Sequence, residues 1–198
     1  MNCAFCKHHK CYKEGQDCTK YSKEEVVAMY TEEEVKIMQA AAATESRNYL
    51  KMTRLEESLF FCEQMGVKKI GLAFCIGLAS EAKFIAQYFK NAGLTVESAC
   101  CKNCGVDKDI LELEKIKPGG FEGMCNPKLQ AQLFNDAGTE INFICGLCVG
   151  HDMIFTQNSK APVSSIITKD RVLANNPAGV IYSRYWKRKL GILEPEGV

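Results

Sequence analysis

Twelve cysteines stand in this chain, and all but Cys62 fall into two groups. Cys3, Cys6, Cys11 and Cys18 open the sequence with the spacing Cys-x2-Cys-x4-Cys-x6-Cys, compact enough for one short loop to wrap a single ion or cluster. That pattern predicts a four-cysteine metal site. Zinc and a [4Fe–4S] cluster both accept four thiolates in tetrahedral array, so spacing leaves the metal open. The adjacent His8 and His9 lie beside Lys7 and Lys10 and read as solvent-exposed imidazoles.

The second group is Cys75, Cys100, Cys101, Cys104, Cys125, Cys145 and Cys148, with His151 three residues further on. Seven thiols and an imidazole exceed one tetrahedral shell, so some must be bystanders, supporting groups or ligands of a larger centre. Cys101-x2-Cys104 and Cys145-x2-Cys148 each match a dithiol redox motif as well as half of a metal site. For one four-thiolate centre the expected set is Cys75, Cys100 or Cys101, Cys125 and Cys148, with His151 as ligand, proton donor or cap of the next helix. Asp152 reads as a helix cap, and Asp170 with Arg171 as a surface ion pair. Cys75-Ile-Gly-Leu-Ala-Ser lacks the glycine spacing of a dinucleotide fingerprint, so a nicotinamide cofactor is unsupported.

The elements that must position these residues follow from periodicity. From Lys23 to Met65 the chain has no Gly or Pro and reads as one or two helices, with Met52, Leu55, Leu59 and Cys62 on a buried stripe. Cys62 is therefore expected in the core. From Lys68 short apolar runs alternate with amphipathic helices, the pattern of a parallel sheet with crossovers. Strands are expected at Lys69–Phe74, Leu94–Ala99, Glu140–Ile144 and Val163–Thr168. One helix carries Leu78, Ala82, Ile85 and Phe89 on a single face. Another starts at Asn126-Pro127, a favoured cap and first residue, and presents Leu129, Leu133, Phe134 and Ala137. A short basic helix lies near Tyr185 to Leu190.

Right-handed crossovers make all strands of such a sheet point the same way, so the residues after each strand gather along one edge. Cys75, Cys100, Cys101, Cys145 and Cys148 all follow strands. The sequence thus predicts an open parallel α/β sheet flanked by helices, Rossmann- or flavodoxin-like, with sulfur at the crevice where such folds bind ligands. Helix N-termini after Cys75 and Cys125 would favour thiolates there. Three segments are expected: a small cysteine-rich metal-binding segment over 1–22, a helical segment over 23–66 and the α/β domain over 67–198.

The motifs Gly71-Leu-Ala-Phe-Cys75-Ile-Gly-Leu-Ala, Cys100-Cys101-Lys102, Met124-Cys125-Asn126-Pro127, Gly146-Leu-Cys148-Val-Gly-His151-Asp152, Ser159-Lys-Ala-Pro-Val163 and Lys169-Asp170-Arg171-Val172-Leu173 together resemble a cysteine-rich metal-binding family of anaerobic bacteria and methanogenic archaea, a domain of unknown function. The resemblance spans nearly the whole chain. It implies metal binding and a prokaryotic origin, and it features Cys75, Cys100, Cys125 and Cys148 more clearly than Cys104 or Cys145. An anaerobic setting favours iron–sulfur chemistry over zinc.

Charge narrows the function classes. With 25 basic and 24 acidic residues the net charge is +1, which argues against a nucleic-acid partner, and no apolar run is long enough to span a membrane. With no apolar leader at the amino end, a cytoplasmic protein is expected, where reduced thiols serve metals or redox chemistry rather than cross-links. The leading expectation is an iron–sulfur protein in which the amino-terminal cluster passes electrons to an inner centre, either carrying them or reducing a small molecule with His151 as proton donor. The alternatives are a zinc-binding or metal-carrier protein without redox chemistry, and a thiol–disulfide oxidoreductase using Cys145 and Cys148. The apolar helices allow a homodimer without requiring one.

Overall fold

The protein is described from a computed structural model covering residues 1–192; residues 193–198, the end of the expected 67–198 domain, lie outside the described residues. Helix α1 (Lys10–Glu14) sits within the amino-terminal cysteine segment, and α2 (Lys23–Ala28), α3 (Glu32–Asn48) and α4 (Arg54–Met65) follow. The expectation of one or two helices here is corrected to three. Each starts with a capping box, Ser22 with Glu25, Thr31 with Glu34 and Thr53 with Glu56, in which side chain and backbone satisfy one another's free groups. The Ser/Thr-x-x-Glu signal was present in the sequence. Leu50, with φ 58°, makes the left-handed turn between α3 and α4. Every residue from 1 to 36 is exposed, so the cysteine segment and α2 stand off the body.

The body alternates β1 (Lys69–Phe74), α5 (Ala79–Asn91), β2 (Thr95–Cys100), α6 (Pro127–Ala137), β3 (Ile141–Cys145), α7 (His151–Asn158) and β4 (Val163–Ile167). Two short helices, α8 (Gly179–Tyr182) and α9 (Arg184–Lys189), end it, the second at the expected basic stretch. The strands form one parallel sheet in the order β2-β1-β3-β4, the α/β architecture expected. The chain leaves β1 outward to β2, then returns past it to β3. The switch point between oppositely directed crossovers therefore lies between the ends of β1 and β3, where open α/β sheets leave a crevice.

Both faces of the sheet are covered. Phe89 of α5 stacks on Phe143 of β3 at 5.4 Å on one side. On the other, Phe134 of α6 meets Phe155 of α7 edge to face at 5.9 Å. Cys62 is fully buried against this core, as its place on the α4 stripe predicts. The face of α6 differs from expectation: Pro127, Gln130, Ala131 and Phe134 are buried, while Leu133 is 44% exposed. A polar residue draws the helix round. Gln130 enters the core because its Nε2 donates to the carbonyls of Ala99, at 2.6 Å, and Phe74, at 3.3 Å. The Phe74 carbonyl also accepts the Cys101 N–H, so Gln130 adds a second donor there and ties α6 to both strand ends.

Candidate functional site

Cys75 leaves β1 with its N–H still bonded to the carbonyl of Cys145, 3.2 Å away, so the two strand ends stay in register across the switch point. The Cys101 N–H donates to the Phe74 carbonyl at 2.9 Å, which holds the turn after β2 against the same edge. Asn126 then joins the remaining piece. Its backbone N–H donates to the Cys101 carbonyl at 2.7 Å and its Nδ2 to the Asn103 carbonyl at 2.5 Å. Asn126 thus occupies the expected position before α6 but makes no side-chain cap bond; it staples the start of α6 to the cysteine turn. Cys125, one residue earlier, is set against Cys101.

The result is a chain of communicating thiols. Cys101 and Cys125 share a hydrogen bond in which the Cys101 thiol donates, and Cys101 also senses Cys75. That bond, followed by the charges of Lys102 and His151, holds Cys125 well below the usual thiol range against the opposing effect of burial. Cys101 moves the opposite way, raised by its bond to Cys125 and by burial. The Ile76 N–H points at the Cys101 sulfur, 3.4 Å away. Lys102, whose Nζ also donates to the Gly123 carbonyl, supplies the cation beside Cys125.

Two further cations rest on sulfur. Lys169 places its Nζ 3.5 Å from Cys75 Sγ, and Arg171 places a guanidinium nitrogen 2.9 Å from Cys148 Sγ. The expected Asp170–Arg171 ion pair does not form. Asp170 instead accepts the N–H groups of Val172 and Leu173 and folds the turn, leaving Arg171 free to reach Cys148. The rule that placed the cysteines, that residues after parallel strands share one edge, applies equally to Lys102 after β2 and to Lys169 and Arg171 after β4. The sequence places Asp170 and Arg171 at this edge too, but as an ion pair with each other rather than as a partner for sulfur.

His151 begins α7, with its N–H on the Cys148 carbonyl at 2.9 Å, half-buried and near enough to Cys125 for its charge to act there. Asp152, expected as the helix cap, is instead the second residue of α7, with Gly150 at the cap position, and it accepts the N–H groups of Gly150 and Met153 in the first turn. Of the tandem pair, Cys101 faces Cys125, whereas Cys100 accepts the N–H of Lys102 at 3.4 Å. Cys104 is exposed at φ 69°. Cys145 is fully enclosed and burial pushes its thiol up to about 12, which makes Cys145 itself a poor nucleophile at neutral pH.

In the amino-terminal segment all four cysteines are exposed. Cys6 accepts backbone N–H bonds from His9 and His8, which lower its thiol. The Cys18 thiol is raised by partial desolvation and then by the charges of Cys11, Cys6, Asp17 and Cys3, so these sulfurs share one neighbourhood. Among the described residues, no three His, Cys, Asp or Glu side chains stand close enough together to hold a metal ion without moving.

These thiols predict an ordered reactivity. In reduced, metal-free protein at pH 7, Cys125 should be alkylated by iodoacetamide well before Cys62 and Cys145, both pushed up to about 12 by burial. A lowered thiol is ionised at that pH and a raised one is not. Peptide mapping over time checks the order, and Cys145 labelling as fast as Cys125 would contradict the site's electrostatics.

The family model described as "Protein of unknown function (DUF1847)" matches residues 13–166. The chain belongs to this family. The DUF1847 match takes in every thiol of the sheet edge and Cys18, and starts after Cys3, Cys6 and Cys11. "Uncharacterized protein MJ0455" of Methanocaldococcus jannaschii is 47% identical over 191 residues, 96% of this chain and 98% of that protein. No solved structure matches. The family expected from the motifs is thus the one found, and cysteine richness is its visible mark here. No helix among the described residues is long and apolar enough to cross a membrane.

Proposed function

We propose that this chain is an iron–sulfur protein with an inner thiolate-bound centre at the carboxyl edge of the sheet and a second at Cys3, Cys6, Cys11 and Cys18. The observation that carries the reading is the bringing of Cys75 and Cys125, from two separate turns, each within electrostatic reach of Cys101 on a third, with Lys102, Lys169 and Arg171 at the edge. The donor set suits the group: soft thiolates select iron–sulfur clusters or zinc, and nearby cations and N–H donors offset the charge of several sulfurs. Because no three donors are yet within one shell, binding requires side-chain rotations at these cysteines.

When bound, the cluster supplies one-electron chemistry. The chain's own contribution is placement and charge. Asn126 and the Phe74 carbonyl fix the two cysteine turns, and Gln130 holds the strand ends beneath them. His151, beside Cys125, holds a proton for a reducible small molecule where the centre keeps an open position. Without such a position the protein is an electron carrier. A reducing cytoplasm is the compartment this reading requires.

Anaerobic purification followed by an ultraviolet–visible spectrum, metal analysis and acid-labile sulfide tests the proposal. Iron and sulfide in equal amounts with broad visible absorption are expected. A colourless protein carrying zinc and no sulfide would replace it with the zinc-binding alternative.

The Cys101–Cys125 hydrogen bond favours one further reading, a thiol–disulfide oxidoreductase using that pair. There the Cys125 thiolate attacks a substrate disulfide, the Cys101 sulfur resolves the mixed disulfide, and the two electrons leave as two substrate thiols. Reversible two-electron oxidation of metal-free protein, abolished by Cys101→Ser or Cys125→Ser, is its signature.

A further inference from the structure

At the opposite end of the sheet from the thiols, a cavity of about 670 Å³ lies between the α3–α4 hairpin and the first residues of β3 and β4. Its volume falls within the range of roughly 300 to 1,000 Å³ usual for small-molecule sites. Phe61 and Met65 of α4 and Ile141 and Phe143 of β3 give it an apolar wall. α3 roofs it while burying only Ala40 and Thr44 itself.

The polar groups in the cavity are almost all acceptors. Glu45 and Glu57 line it, and neither forms an ion pair or side-chain hydrogen bond among the described residues. The hydroxyls of Thr44 and Ser58, both buried, spend their protons on the carbonyls of Ala40 and Arg54, leaving oxygen lone pairs as their remaining capacity. Glu140 accepts the N–H groups of Lys68 and Lys69. The one lining cation, Arg54, is committed to β4, with Nη2 2.6 Å from Ser164 Oγ and Nε 3.2 Å from the Ser165 carbonyl.

A greasy wall beside unpaired carboxylates and acceptor hydroxyls is complementary to a molecule with an apolar body and a protonated amine. We infer that this cavity is a binding site for an amphipathic ammonium compound, distinct from the thiol edge. The apolar body replaces water along Phe61 and Met65, and the ammonium is drawn to Glu57 and Glu45. An anionic amphiphile of the same length meets three lining carboxylates against the one guanidinium of Arg54 and binds more weakly.

The test uses the full chain and three probes below their micelle thresholds: n-dodecylamine, n-dodecanol and n-dodecanoate, followed by calorimetry at neutral pH. Saturable binding of one amine per chain is expected, with dodecanoate at least tenfold weaker. Glu57→Gln should weaken the amine about tenfold, the effect of losing one charge-assisted hydrogen bond. Glu45→Gln, on a different helix, is the second variant should the first fail to fold. Equal binding of amine and carboxylate, absence of saturation, or indifference to both substitutions overturns the assignment. So does a protein that takes up no amine yet sediments as a dimer, which gives the groove to a second copy.

Discussion

Cys125→Ser is expected to remove the inner centre while leaving the fold in place. Serine preserves the shape of the side chain, and the Asn126 bonds that set the turn are to backbone groups, so far-ultraviolet circular dichroism should not change. What is lost is a thiol that Cys101, Lys102 and His151 hold well below its usual range. Changing a supporting partner of a metal ligand typically costs about 10- to 100-fold in metal affinity, and loss of the sulfur itself should cost more. Metal and sulfide counts on anaerobically purified protein should fall by about half, the remainder belonging to the amino-terminal segment. Cys6→Ser should remove the complementary share. Full counts in Cys125→Ser would place the metal elsewhere and end the proposal for the sheet edge.

Gly71→Ala is expected to be the most damaging single methyl in the sheet. Gly71 sits in inner strand β1, and the reason is space rather than backbone conformation. A Cβ there would lie 2.6 Å from Phe134 Cδ2 and would collide with Asn142 Oδ1. Neither neighbour yields easily. Phe134 is wedged against Phe155, and fully buried Asn142 accepts from Thr139 Oγ1 at 2.7 Å and donates to Ser159 Oγ at 2.8 Å. Overpacking costs roughly 1–3 kcal/mol and a broken buried hydrogen bond about 1–3 kcal/mol more. Against a total stability of about 5–15 kcal/mol, that lowers Tm by about 10 °C or prevents accumulation of folded protein. Gly123→Ala is the control: its added methyl meets nothing nearer than 3.6 Å, and its Tm should stay within about 2 °C. A Tm for Gly71→Ala equal to that of the control would mean that α6 is not seated on β1 as described.

Much of the fold was legible because the rules that generate it are local. The apolar runs at Lys69–Phe74 and Val163–Ile167 gave strands to within a residue, and Leu78, Ala82, Ile85 and Phe89 gave the buried face of α5. Two readings failed for instructive reasons. The stretch 23–66 was read by composition, which does not break at Tyr30 or Leu50, whereas the capping boxes that do mark the breaks were passed over. The α6 face was read by hydrophobicity, which assigns Gln130 to solvent. A residue whose side-chain amide reaches two strand-end carbonyls is placed by those hydrogen bonds instead.

For the thiol edge, the sequence by itself determined which cysteines would stand at one end of the sheet, since parallel strands and right-handed crossovers leave no other arrangement. It also determined the compact spacing of the four amino-terminal cysteines. Only the tertiary structure decided that Cys101 rather than Cys100 meets Cys125, because facing at a strand end depends on where pairing stops and the turn begins. Only it set Arg171 on Cys148 and Lys169 on Cys75, since those contacts close over 23 and 94 residues of chain and follow from strand order, which no local pattern encodes.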